Sequence, residues 1–211
     1  MGAMTSPRAG RALLALCLPS LVFAAPAEDK VSGPPREPGP FQPTDLVELV
    51  KIEPSLKLDI RYATENNFVH RKVYSEARAF LQRPAALALA TAHRALRDKG
   101  YGILVFDGYR PWSVTKLFWD LSPPAERPFV ANPRKGSVHN RGCAADVSLF
   151  DLRTGKEVEM PSAYAETSER SSPDYGGGTA EQRARRDLLR RSLEQAGFTV
   201  EPNEWWHYNF R

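Results

Sequence analysis

Cysteine is nearly absent from this sequence, which has only Cys17 and Cys143. Cys17 lies in an N-terminal stretch that reads as a removable leader, so the rest of the chain keeps one thiol and no internal disulfide is possible. Such a domain is held by its core or by a metal, not by cross-links. No apolar run reaches the roughly 20 residues that span a bilayer. The longest, residues 12–24, is broken by Pro19 and Ser20, so stable membrane insertion is not expected. Basic residues are scattered and form no stripe. The formal charge of +4 falls to about +2 once Arg8 and Arg11 leave with the leader, which excludes nucleic acid as a partner.

What the first 27 residues do contain is the three-part pattern of a secretory signal: a basic start, an apolar centre and small residues at its end. Cleavage is expected after Ala24 or Ala27, delivering a periplasmic or secreted protein. A lipid anchor on Cys17 is disfavoured because bulky Leu16 precedes it. Residues 28–43, "EDKVSGPPREPGPFQP", are rich in proline, glycine and charge and read as a flexible or extended linker.

One domain is expected over residues 44–211. "LVELVKI" and "LKLDIRYAT" alternate with period two, as short strands do. A helix follows, with Pro84 in its first turn and Gly100 beyond its end. "YGILVF" reads as a buried strand, "DGYRP" as a turn into a second helix carrying Trp112, Leu117 and Phe118, and "CAADVSLF" as a further strand. After a serine- and glycine-rich loop, Thr179 and Gln182 form a capping box for a last helix that Gly197 stops. Its inward face is expected to hold Ala184, Leu188, Leu189, Leu193 and Ala196. "FTVE" and "WWHYNF" close the chain. Helices and strands mix without regular alternation, so the fold class is α+β, a single domain with a mainly antiparallel sheet flanked by helices.

Four histidines are present. His93 falls inside a helix and His70 in a polar loop, where structural roles suffice. In "SVHNRGCAADVSLF", His139 precedes a tight turn at Gly142 and Asp146 sits on the strand beyond, so loop and strand can converge. In "EWWHY" an extended strand sends Trp206 and Tyr208 one way and Trp205 and His207 the other. The segment is either a core strand or part of a site. Glu204, three residues before His207, falls on the opposite face of a regular strand and shares a site only if the chain turns or bulges there. His139, Asp146 and His207 together would make a three-ligand zinc site with an open fourth position, and Glu204 would be a carboxylate able to take a proton from water.

"SVHNRGCAADVSL" with "EWWHY" resembles the zinc D-alanyl-D-alanine dipeptidases, a family that includes the vancomycin-resistance dipeptidases and shares its fold with zinc D,D-carboxypeptidases and the hedgehog signalling domain. "RYATENNF", "GYGILVFDGYRP" and "MPSAYAETSER" resemble further family segments in the same order. The resemblance implies one zinc per chain held by His139, Asp146 and His207, with Glu204 as catalytic acid/base and Arg110 as the oxyanion-stabilising cation. It implies Tyr62 and Ser137 as substrate-binding residues and a small D,D-dipeptide from cell-wall metabolism as substrate. Where the family commonly has an aspartate to meet the substrate ammonium, this chain has Ala165, with Glu166 or Glu169 as the nearest replacements. Other outcomes on this fold are a D,D-carboxypeptidase or endopeptidase of peptidoglycan stem peptides and a catalytically silent zinc module. Cys143 reads as a small buried hydrophobe and not as a nucleophile.

Overall fold

The structure, a computed structural model, describes residues 1–2 and 31–211. Apart from Met1 and Gly2, the expected leader lies outside the described residues, as do the first residues of the expected linker. Residues 31–43 form no helix or strand.

A five-stranded sheet carries the domain, in the order β2 (Lys57–Leu58), β4 (Tyr101–Asp107), β5 (Ala144–Asp151), β7 (Glu204–Phe210), β6 (Phe198–Glu201). Only β2 and β4 run parallel; every other pair is antiparallel. A separate two-stranded sheet joins β1 (Leu46–Glu48) to β3 (Phe80–Gln82). The strand expected over "LVELVKI" is cut short, because after Glu48 the chain turns into the brief helix α1 (Leu49–Ile52) that buries Leu49 completely. "LKLDIRYAT" likewise pairs only at Lys57 and Leu58, then tightens into a 3₁₀ turn at Arg61–Ala63 that tucks Tyr62 inward.

Period-two alternation on β5 decides which side of the sheet does what. Ala145, Val147 and Leu149 join Ile103 and Val105 of β4 in the main core, with Leu89 and Leu96 of α2 (Arg83–Arg97) and Leu189 and Leu193 of α4 (Ala180–Gln195). Each such side chain is fully buried, and each valine, isoleucine or leucine among them contributes about 1.5–3 kcal/mol. Leu104, Phe106 and Phe150 form a smaller cluster of their own, covered by Leu152 and Tyr164. Asp146 alternates with Ala145 and Val147, so it faces away from the two helices.

Helix α2 starts with Pro84 in its first turn. Its end at Arg97 is followed by Gly100 at φ 86°, where the chain reverses into β4. Helix α4 has the expected capping box: Gln182 N–H donates to Thr179 Oγ1 at 3.1 Å and Thr179 N–H to Gln182 Oε1 at 2.8 Å. Its inward face differs from expectation. Ala184 is exposed and Arg186 is buried, because Arg186 Nη1 reaches the carbonyl of Tyr175 at 2.6 Å and pins the preceding loop to the helix. Gly197, at φ 97°, ends the helix as expected.

His93 keeps the structural role expected of it. Its Nδ1 accepts the Ile103 N–H at 3.0 Å, so Nε2 carries the proton and donates to Ser55 Oγ at 3.0 Å; that hydroxyl in turn donates to Glu53 Oε1 at 2.6 Å. Burial holds the ring pKa below its ordinary value despite the charge on Glu53. A histidine kept neutral in the fold takes its proton first in the unfolded chain, so its contribution is full above the unfolded pKa of about 6.5 and declines as pH falls below it. Thermal melts from pH 8 to pH 5 should show a shallower loss of Tm in His93→Gln than in the parent; identical slopes would refute this role for His93.

Candidate metal centre and its cavity

The sequence segment around His139 is fixed by a small hydrogen-bonded loop. Ser137 caps the 3₁₀ turn Val138–Arg141 by accepting the His139 N–H at 3.2 Å, and Asn140 Oδ1 accepts the Ser137 N–H at 2.8 Å. Gly142 closes the turn at φ 70°, a conformation that favours glycine. The turn is then tied to the loop after β4. Asn140 Nδ2 donates to the Arg110 carbonyl at 2.9 Å, Arg110 N–H to the His139 carbonyl at 3.1 Å, and the His139 ring lies with Nδ1 2.7 Å from the Gly108 carbonyl. A carbonyl only accepts, so Nδ1 carries the proton and Nε2 presents a bare lone pair.

Asp146 and His207 need no loop to meet, since they are direct cross-strand partners on β5 and β7. Asp146 Oδ1 lies 3.3 Å from His139 Nε2 and 3.2 Å from His207 Nδ1, and the two ring nitrogens are 3.2 Å apart. Three ligand atoms form a nearly equilateral triangle. Around a tetrahedral ion with bonds of about 2.0–2.1 Å, ligand atoms stand about 3.3 Å apart, so the set fits a single divalent metal. Asp146 Oδ1 is also buried with no hydrogen-bond partner, whereas Oδ2 accepts from Tyr164 Oη at 2.9 Å and Arg110 Nη2 at 3.3 Å. One oxygen is held by the protein and the other is turned to the site.

Glu204 meets the condition set by its spacing. It opens β7 directly after the Pro202–Asn203 turn, and the β6–β7 register breaks there. Val200 pairs with Tyr208 while Glu201 pairs with Glu204, so one step along β6 is matched by four along β7. The extra residues bring Glu204 Oε2 to 3.5 Å from His207 Nδ1. Strict alternation fails with it: Trp206 lines the same cavity as His207, whereas Trp205 is buried and donates Nε1–H to Ser162 Oγ at 2.9 Å. Burial pushes the Glu204 carboxyl up to about 7, against the opposing pull of His207. A carboxyl poised near neutrality suits proton transfer.

Arg110 is 9% exposed and bound on two sides, by Nε to Asp107 Oδ2 at 2.8 Å and by Nη2 to Asp146. Its guanidinium lies 5.4 Å from the Tyr62 ring centre and 5.2 Å from that of Phe118. Tyr62, Arg110, Ser137, His139, Asp146, Glu204 and His207 all line one cavity of about 490 Å³. Ala165 and Glu166 line it too, and Glu169 does not. Glu166 is engaged locally, by Ser168 Oγ at 2.5 Å and the Ala163 N–H at 3.3 Å. Exposed His70 also reaches the cavity.

Sequence reasoning missed Asp107, which anchors Arg110, and Tyr164, which fixes Asp146. The first was visible as an acid ending an apolar strand three residues before the arginine; the second had no signal within its serine- and glycine-rich loop. Cys143 is half-buried, not buried as expected, and burial pushes its thiol up, which disfavours a thiolate nucleophile.

A triangle of residues that could hold a metal, beside a carboxyl of raised pKa, is the arrangement of the metal-dependent hydrolases as a class. The family follows from comparison: the Peptidase_M15 model, described as D-ala-D-ala dipeptidase, matches residues 42–211, and the chain belongs to that family. It is 30% identical over 165 residues to the D-alanyl-D-alanine dipeptidase of Escherichia coli K12, covering 78% of this chain and 84% of that one. To the enzyme of the same name from Enterococcus faecalis V583 it is 34% identical over 172 residues, covering 72% and 85%. A more distant likeness is to the solved LdcB LD-carboxypeptidase, 21% identical with a TM-score of 0.46, covering 82% of this chain and 71% of that one.

Without a metal, the triangle holds a proton. Burial works against charge on His207, but the Asp146 carboxylate 3.2 Å away outweighs it and raises the ring to about 9. Metal uptake at pH 7 must expel that proton. Calorimetric titration of the metal-free protein with zinc, repeated in buffers of different ionisation heat, should report release of about one proton per ion. No buffer dependence would refute the charged state of His207.

Proposed function

We propose that the protein is an exported, zinc-dependent dipeptidase that hydrolyses D-alanyl-D-alanine to two D-alanines, with one zinc per chain. The observation that carries the reading is the buried, unpartnered Asp146 Oδ1 facing His139 Nε2 and His207 Nδ1, with Glu204 alongside. Family membership and the names of the relatives support the substrate. The leader expected to end at Ala24 or Ala27 supports export to the periplasm or beyond.

His139, Asp146 and His207 hold the ion. When bound, zinc supplies Lewis-acid polarisation of the scissile carbonyl and brings the pKa of water down to about 7. Glu204 takes the proton of the attacking water on its carboxylate and returns it to the departing amine nitrogen, so the residue ends each turnover as it began. Arg110, held in place by Asp107, meets negative charge developing on the carbonyl oxygen; one such donor is typically worth about 2.7–4 kcal/mol in the transition state. The Ser137 hydroxyl already accepts the His139 N–H, which leaves its own proton to donate to substrate. Tyr62 forms the floor beneath Arg110.

A second reading, a D,D-carboxypeptidase of stem peptides, is favoured by one feature: the cavity is generous for two alanyl residues, and Ala165 adds to its room. Purified protein should release alanine from D-Ala-D-Ala, lose that activity to a chelator and leave a stem pentapeptide intact. Cleavage of the pentapeptide alone establishes the second reading, and inactivity on both with zinc bound leaves a silent zinc module.

Glu204→Ala should retain zinc and lose activity by about 10²–10⁴-fold, the usual size of a general-base contribution. Zinc analysis of the variant checks the assignment, since a metal-free variant would make Glu204 a ligand.

A further inference from the structure

The β6–β7 hairpin carries a polar chain that the reaction as described does not use. His207 Nε2 lies 2.9 Å from Asn209 Oδ1, and Asn209 Nδ2 donates to Glu201 Oε2 at 3.3 Å. All three residues line the cavity. We propose that Asn209 is a positioning residue for the metal ligand His207, and that Glu201 sets the orientation of Asn209; this rests on reading the triangle as a metal centre.

The direction of each bond follows from what the end of the chain can do. A carboxylate only accepts, so the amide must turn Nδ2 toward Glu201. That leaves Oδ1 facing His207. An amide oxygen also only accepts, so the proton of a neutral His207 must reside on Nε2, and Nδ1 is left bare toward Asp146 and His139. The other tautomer would set two acceptors against each other at 2.9 Å. His139 is locked the opposite way, its Nδ1 proton on the Gly108 carbonyl. The two imidazoles therefore present different nitrogens to the metal, each fixed by a different kind of acceptor.

The strand explains why Asn209 is the residue available. It stands two positions beyond His207 on β7, on the same face, and pairs with Thr199 on β6. Glu201 reaches it across the hairpin from the site of the register break, where it is the strand partner of Glu204. One irregular hairpin thereby sets both the proton-transfer carboxyl and the lone pair of a ligand.

The test measures zinc affinity by competition with a chelating dye, independent of turnover, in the full-length protein. Asn209→Leu should weaken zinc binding by about 10–100-fold, as loss of a ligand's outer partner usually does. The pair Asn209→Asp with Glu201→Gln, in which the new amide donates to the new carboxylate, should recover affinity to within a few-fold of the parent. Nitrogen-15 NMR of the zinc-loaded parent should find His207 protonated at Nε2 and coordinated through Nδ1. Parental affinity in Asn209→Leu, a paired variant as weak as the leucine variant, or coordination through Nε2 each overturns the proposal. A parent protein that takes up no zinc overturns the metal centre itself, and the role of Asn209 falls with it.

Discussion

The pairing of Asp146 with His207 across β5 and β7 is the constraint on which the rest depends. Side chains on a strand alternate, so a slip of one residue in that pairing would turn the histidine away from Asp146. What prevents the slip lies on the far side of the sheet. Ala145, Val147 and Leu149 are fully buried in the core that α2 and α4 cover, and moving any of them to the opposite face would empty that core. The hydrophobic pattern thus places two members of the candidate metal triangle as a by-product of packing. His139, delivered by a loop, needs its own restraints: the Ser137 cap, the Gly142 turn and the Gly108 carbonyl.

Charge in the buried site is organised around Arg110. Its guanidinium sits between Asp107 and Asp146, over the rings of Tyr62 and Phe118. One cation between two carboxylates leaves an excess negative charge, and Glu204 adds a second when ionised. A divalent ion answers that surplus, whereas a proton answers only half of it. Apolar rings on several sides keep the local dielectric low, which strengthens each of these interactions and makes any unpaired member costly. Arg110 therefore does two things at once, holding Asp146 in orientation and presenting positive charge at the cavity wall.

Much of this was legible in the sequence because the informative residues are local signals. The capping box of α4, the proline start of α2, the apolar β4 and the "SVHNRG" turn are each decided within a few residues, and the structure keeps them. The sequence also posed the question of Glu204 correctly, since an i,i+3 pair cannot share a face of a regular strand. The answer, a register break against β6, depends on a partner strand and could not be read from either segment alone. Tyr164 and the buried Arg186 escaped for the same reason. Their partners lie on other elements, and a polar residue in a loop looks the same in sequence whether it faces water or a buried carboxylate. The truncated β1 and β2 mark another limit, because alternation shows that a strand is compatible and not that a neighbour is there to pair with it.

Ala165 joins backbone strain to substrate recognition. It lies on the cavity wall at φ 60°, a left-handed conformation that aspartate and asparagine tolerate better than alanine. An aspartate, as the resemblance places there, would ease the backbone and offer a carboxylate to the substrate ammonium. Alanine does neither, so the loop must be held from elsewhere. Arg170 binds the Pro161 carbonyl through Nε at 3.1 Å and Nη2 at 2.8 Å, Ser171 Oγ donates to the Glu166 carbonyl, and Trp205 holds Ser162. These bonds secure the loop without help from the side chain at position 165. An alanine there offers no charge to the cavity, while His139, Asp146, His207 and Glu204 are positioned by other elements and do not depend on the side chain at 165.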